Sequence, residues 1–252
     1  MTFASLSGKR ILVTGSSVGI GRAIVLECAS AGADVVVNCR RSVDLAESVA
    51  VEARLLGVRV DVITADVADE QDRRMLIRAA FDTGRIDALV NNAGADLLTT
   101  QLRNAEFSQK MNALLQTDVL GTIELSRMFG KRFQEQGRGV ILNIGWDQSD
   151  RGMEGDSGEL FAAAKNAVMG FSRSLAVSLA PHVRVNCIAP GWIRTAWGAG
   201  ASDYWQQRVL TETPLHRWGE PRDIANMARF LLSDDADYIT GQVMNVNGGA
   251  VR

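Results

Sequence analysis

The chain has 252 residues, 46% of them hydrophobic and 22% charged, with a formal net charge of −2. That length suits one large α/β domain with a well-buried core, and not two independent ones. The near-neutral balance, with no run of Lys or Arg longer than a pair such as Arg40-Arg41, excludes broad attraction to nucleic acid and points to a small-molecule partner.

Short β-branched runs alternate along the chain with longer segments of helical period. Residues 10–14, 34–38, 59–64, 87–91, 139–144, 183–188 and 242–246 read as seven strands. These are near-continuous apolar runs, so they are expected to lie buried on both faces of a mainly parallel sheet, with the intervening helices as crossovers. The fold expected is a single-domain, doubly wound Rossmann-type α/β sheet spanning residues 1–252, flanked by helices. Cys28, Cys39 and Cys187 fall in a helix and two strands and read as buried apolar residues, with no disulfide framework and no metal site. No apolar stretch precedes the first strand and no run of about 18 apolar residues occurs, so membrane insertion and secretion are not indicated and a cytoplasmic protein is expected.

The first strand runs into Thr14-Gly15-Ser16-Ser17-Val18-Gly19-Ile20-Gly21 and then into a helix. Glycines allow a tight turn and bring phosphates close to the main chain, while the helix start offers unpaired N–H groups and partial positive charge. Gly15, Ser17, Gly19, Ile20 and Gly21 are therefore the candidate pyrophosphate contacts. The second strand ends Val36-Val37-Asn38-Cys39-Arg40-Arg41-Ser42. A site selective for NAD(H) would normally place a carboxylate here to accept from the ribose hydroxyl. Cys39 stands in its place, and Arg40, Arg41 and Ser42 suit charge-assisted bonds to a 2′-phosphate, so NADP(H) is expected over NAD(H).

The spacing Gly15-x3-Gly19-x-Gly21 resembles that of the short-chain dehydrogenase/reductase family, and further landmarks follow in order. Asp66-Val67, Asn91-Asn92-Ala93-Gly94, Pro190-Gly191 with Ile193 and Thr195, Ile239-Thr240-Gly241 and Asn247-Gly248-Gly249 carry the resemblance over essentially the whole chain, most of all to its 3-oxoacyl-carrier-protein reductases. The resemblance implies that Asp66 and Val67 contact adenine, that Asn92, Ala93 and Gly94 flank the cofactor, and that Pro190, Gly191, Ile193 and Thr195 hold the nicotinamide carboxamide. It also implies a homo-oligomer, tetramer or dimer, formed through the fourth and fifth helices and the 239–249 tail.

In active relatives a tyrosine and a lysine one turn apart on the fifth helix transfer the proton, helped by a serine ending the fifth strand and an asparagine in the fourth helix. Here Lys165, which also holds the ribose, is kept, but Phe161 stands for the tyrosine, Trp146 for the serine and Asp118 for the asparagine. Phe161 has no proton to give and reads first as core packing. Ser149 and Ser157 remain candidates for a displaced serine. The loop from Gly145 to Gly158 is rich in carboxylates, and Asp147 is the candidate substitute acid, since partial burial beside Trp146 would raise its pKa. These acids also read as a solvated loop face.

Residues 192–218 read as a substrate lid in which Trp192, Trp197, Tyr204 and Trp205 line a pocket or simply pack, with Tyr204 a second candidate phenol. His216 reads as structural. The expected function is an NADP(H)-dependent oxidoreductase acting on a carbonyl or alcohol with a non-standard proton donor. The alternatives are a nucleotide-binding pseudoenzyme and a protein of non-redox chemistry.

Overall fold

The computed structural model describes residues 2–251. The seven β-branched runs form β1 (Arg10–Val13), β2 (Asp34–Cys39), β3 (Val60–Thr64), β4 (Ala88–Asn91), β5 (Gly139–Ile144), β6 (Val183–Pro190) and β7 (Val243–Val246). Their ends fall within about two residues of those expected, the usual scatter of strand boundaries. All ladders are parallel, in the order β3-β2-β1-β4-β5-β6-β7. Winding reverses between β1 and β4, and the crevice outside their carboxyl ends is where such sheets bind ligands. Burial on both faces holds for the central strands, whereas β3 and β7 are half-exposed because each edge lacks a neighbour.

Residues at alternate positions of the central strands feed two helical layers. On one face, α1 (Gly19–Ser30), α2 (Val43–Arg54) and α9 (Pro221–Leu232) pack Ile24, Val49 and Leu231 against Ile11, Val13 and Val35. On the other, α3 (Glu70–Asp82), α5 (Thr122–Glu135) and α6 (Asp156–Leu179) pack Leu76, Phe129 and Leu175 against Leu12, Val36 and Ile141. Local chemistry sets several helix starts: Asp69 accepts from the Asp72 N–H before α3, and Glu220 and Asp223 form a capping box around Pro221 at the start of α9.

One feature departs from the sequence reading. The expected fourth helix is two, α4 (Phe107–Leu114) and α5, joined without a break by a π-helical turn, Leu115–Gly121. The expected fifth helix is therefore α6. Such turns insert an extra residue into the helical ladder and recur at functional sites; here the turn carries Asp118. Two short helices, α7 (Ala196–Ala199) and α8 (Asp203–Glu212), occupy the expected lid between β6 and α9.

The three cysteines are buried free thiols, and burial pushes those of Cys28 and Cys187 up to about 12. Among the described residues no helix is long and apolar enough to cross a membrane, and no group of three or more His, Cys, Asp or Glu side chains is placed to hold a metal ion.

A polar chain crosses the core at the carboxyl ends of β4 and β5. Asn91 Nδ2 donates to Ser126 Oγ and to Asn143 Oδ1, both at 2.8 Å, and Asn143 Nδ2 donates to Ser172 Oγ at 2.8 Å. It ties both strands to α5 and α6 where buried polar groups must find partners. Replacing Asn143 by Leu strips bonds from Asn91 and Ser172 and should cost about 2–4 kcal/mol in urea denaturation. An unchanged midpoint would show that the chain contributes nothing to holding the strand ends.

Candidate active site

The turn from β1 to α1 is braced by protein groups on two sides. Thr14 Oγ1 accepts from the Asn92 and Ala93 amides at 3.0 and 3.1 Å, and Asn92 Nδ2 donates to the carbonyls of Thr14 (3.0 Å) and Gly15 (2.9 Å). On the other side, the Gly15 N–H donates to Asn38 Oδ1 at 3.2 Å. A Cβ on Gly15, whose φ is +59°, would stand 2.7 Å from Ala93 Cα, and one on Gly21 would meet Asn92 Nδ2 and lie 2.5 Å from the Gly15 carbonyl oxygen. The turn therefore closes only with glycine at both places.

Val18 precedes α1 in extended conformation without a side-chain cap, and the first turn holds no acid, so its leading N–H groups keep their donor capacity. That start fits a pyrophosphate. Asn92, expected beside the cofactor, spends both amide protons on the turn and acts as its brace. Thr14 and Asn38 were missed; their signal was a polar residue closing an apolar strand.

At the end of β2, the Arg40 guanidinium lies 3.7 Å from Asp66 Oδ2, while Arg41 and Ser42 are exposed. Arg41 makes no ion pair among the described residues, and Ser42 leads into α2 without using its hydroxyl as a cap. Cys39 is 2% exposed and no carboxylate takes its place. Val67 is buried below the crevice, its carbonyl accepting from Arg73. Beyond β6, Pro190 closes the strand, and Gly191 packs so closely that a Cβ would lie 2.6 Å from Asn247 Cβ. Ile193 is buried, and the Thr195 methyl would lie 3.7 Å from a Cβ on Gly19, so the base of the lid meets the glycine turn. These surfaces fit a dinucleotide.

At the head of β5 the structure brings together Trp146, Phe161, Lys165 and Asp118. Phe161 and Lys165 share one face of α6 by their i, i+4 spacing. Lys165 Nζ lies 2.9 Å from Asp118 Oδ2 and donates to the Ile144 carbonyl at 3.2 Å. The other Asp118 oxygen accepts from the Ala95 N–H at 2.8 Å, and its side chain is 1% exposed. Phe161 meets Trp146 edge-on at 6.1 Å and packs on a cluster of Leu97, Leu114, Leu160 and Ala164. Gly94 leaves room for Asp118: a Cβ there would sit 2.9 Å from Oδ2.

Asp147 opens a 3-10 turn after β5 and is 1% exposed. Burial pushes its carboxyl up from 3.8 to about 6, against a hydrogen bond that Asn247 Nδ2 donates to Oδ2 at 3.0 Å. The expected raised acid is present, but its partner is the C-terminal turn, and Lys165 pairs with Asp118 instead. Ser149 is buried with its hydroxyl unbonded, and Ser157 is half-buried in the first turn of α6.

The acidic loop is not simply a solvated face. Glu154 pairs with Arg208 of α8, and Arg208 Nε in turn bonds Glu212 at 2.7 Å and stacks 4.8 Å over Trp205. Trp192, Trp197, Trp205 and Trp218 pack on one another with ring centroids 5.5–6.4 Å apart. Tyr204 is 65% exposed, touching Trp205 edge-on, and His216 bonds the Leu210 carbonyl through Nδ1, a structural contact.

Comparison with known proteins agrees with this geometry. A family model described as Enoyl-(Acyl carrier protein) reductase matches residues 15–251. The chain is 37% identical over 244 residues to a 3-oxoacyl-acyl-carrier-protein reductase of Staphylococcus aureus, covering 96% of this chain and 97% of that one. A 7 alpha-hydroxysteroid dehydrogenase, solved with NADH and 7-oxo glycochenodeoxycholic acid, superposes with a TM-score of 0.90 at 32% identity, covering 98% and 96% of the two chains. A gluconate 5-dehydrogenase from Burkholderia cenocepacia, solved with NADP and tartrate, gives 0.88 at 29% identity and covers the same shares. By fold, turn and these likenesses alike, the chain belongs to the short-chain dehydrogenase/reductase family of oxidoreductases.

Proposed function

We propose that the protein is an NADP(H)-dependent oxidoreductase acting on the carbonyl or alcohol group of a small molecule, with Lys165 as its proton-holding group. The observation that carries this reading is the end of β2, where a free guanidinium and a free hydroxyl replace a carboxylate beside an uncapped helix start. Charged groups of this kind suit a ribose 2′-phosphate. The likeness to an enzyme solved with NADP supports it, and the likeness to one solved with NADH makes the choice worth measuring.

When bound, the nicotinamide supplies or takes the hydride. The chain does the rest. Phe161 and Trp146 form an aromatic wall that excludes water from the reacting carbon. Phe161 has no acidic proton, and Asp147 is sealed against Asn247, which leaves the Lys165 ammonium as the N–H donor for a substrate oxygen. Residues 192–218 serve as the substrate lid, tied to the acidic loop through Glu154 and Arg208. Exposed Phe107 and Met111 of α4 and Leu115 of the π-helical turn recur one turn apart and suit burial against a second copy of the chain.

The first experiment follows NADPH and NADH binding by fluorescence together with NADPH consumption over ketones, aldehydes and acyl thioesters. NADPH should bind more tightly, and Arg41→Ala should weaken it about 10- to 100-fold, from the ~1.5–3 kcal/mol of a hydrogen bond between charged groups, leaving NADH unaffected. Equal loss for both nucleotides would remove the cofactor assignment. Tight binding without turnover of any substrate would favour a nucleotide-binding pseudoenzyme.

Asp147 gives a separate test of its structural role. Its folded pKa lies above its unfolded value, so its neutral form favours the native state below about pH 4 and that stability is lost as pH rises through about 6. Asp147→Asn should therefore match wild type near pH 4 and exceed it by about 1–3 kcal/mol at pH 8 in urea denaturation. A variant less stable than wild type at pH 8 would show that the carboxylate is needed charged. Light scattering at micromolar concentration should report a dimer or tetramer, and a monomer would exclude the α4 face as a self-association surface.

A further inference from the structure

Lys165 sits largely out of water. Its side chain is 12% exposed, Phe161 stands one turn before it on the same face of α6, and the apolar cluster around Phe161 includes Ala95 and Val119, the neighbours of Gly94 and Asp118. An ammonium in such surroundings needs a compensating charge. Asp118 supplies it from a distance of 2.9 Å, and three independent features hold the carboxylate there. The π-helical turn carries it, the Ala95 N–H fixes its other oxygen at 2.8 Å, and the missing side chain of Gly94 leaves the space it fills.

We propose that Asp118 is the positioning residue of this site: it holds Lys165 in place through an ion pair and offsets its charge on the side of α6 where Phe161 stands one turn before it. Resting on the oxidoreductase reading above, this assigns a fixed geometry to the proton-holding group. The ammonium donates to the Ile144 carbonyl and keeps Asp118 beside it as an ion pair without a hydrogen bond. Its remaining N–H bonds are left for the oxygen of a ligand, a substrate carbonyl or a ribose hydroxyl. A lysine so paired has its charge neutralised on one side and no longer acidifies a phenol placed beside it.

That last consequence is measurable without any substrate. Phe161→Tyr puts a phenol one turn before Lys165, against a background of only two other tyrosines, Tyr204 and Tyr238, both exposed. Ultraviolet titration of the phenolate should place the new group at or above the ordinary value of about 10 in Phe161→Tyr, because Asp118 cancels the ammonium. In the double variant Phe161→Tyr/Asp118→Asn it should fall by at least about one pH unit, since Lys165 then has no other carboxylate partner.

Equal midpoints in the two proteins would overturn the proposal. If the double variant does not fold, Phe161→Tyr alone decides: a new phenol titrating below about 9 there would show that Asp118 leaves the Lys165 charge free to act on it. NADPH fluorescence in wild type is run alongside. Failure to bind the nucleotide would sink the cofactor reading while leaving the phenol titration, and so this proposal, to stand or fall on its own.

Discussion

The close approach of the β1 turn to the end of β4 is the contact on which the rest of the site depends. Gly15 and Gly21 have no room for a side chain because Ala93 and Asn92 press against them, and Asn92 holds the turn through two carbonyls. Adjacent parallel strands lie about 4.8 Å apart, so loops leaving β1 and β4 on opposite sides of the winding reversal must either splay or lock together. They lock, with Thr14 Oγ1 receiving two amides of the β4 loop. The start of α1 thereby becomes a rigid opening with unspent donors, and the loop carrying Gly94 and Ala95 is held where Asp118 can reach it.

Polar groups at the carboxyl ends of β4 and β5 are buried in unusual number, and each solution has a different physical character. Asn91, Asn143, Ser126 and Ser172 bond one another without charge, leaving Asn91 Oδ1 without a partner. Lys165 and Asp118 do so by charge, at the cost of desolvating both groups. Asp147 is left with one oxygen unbonded and takes up its proton at higher pH than an exposed aspartate would. A neutral chain rigidifies, an ion pair directs donors, and an isolated acid stores a dependence on pH. The first ties strands to helices, and the third costs the fold stability once its carboxyl is charged.

The region after β6 is built around aromatic packing instead. Four tryptophans form a cluster of their own with Met153 of the acidic loop, and Arg208 joins that cluster to Glu154 and Glu212. Exposed ion pairs contribute little to stability alone, but a guanidinium stacked on indole and bonded to two carboxylates gives a geometric constraint. The acidic loop and α8 are joined through Arg208 and the tryptophan cluster.

Much of this was readable in the amino-acid sequence. The β-branched runs specify the sheet, since strands buried on both faces need continuous apolar residues, and the glycine spacing specifies the turn, since only glycine tolerates Gly15's positive φ and close approach. What the tertiary structure alone decided is which polar groups face one another. Asp147 points to Asn247, Asn92 braces the turn and Asp118 meets Lys165, each pair far apart in the chain. Asp118 lies in a π-helical turn and Asp147 opens a 3-10 turn, and local backbone irregularities of this size leave the hydrophobic periodicity almost unchanged.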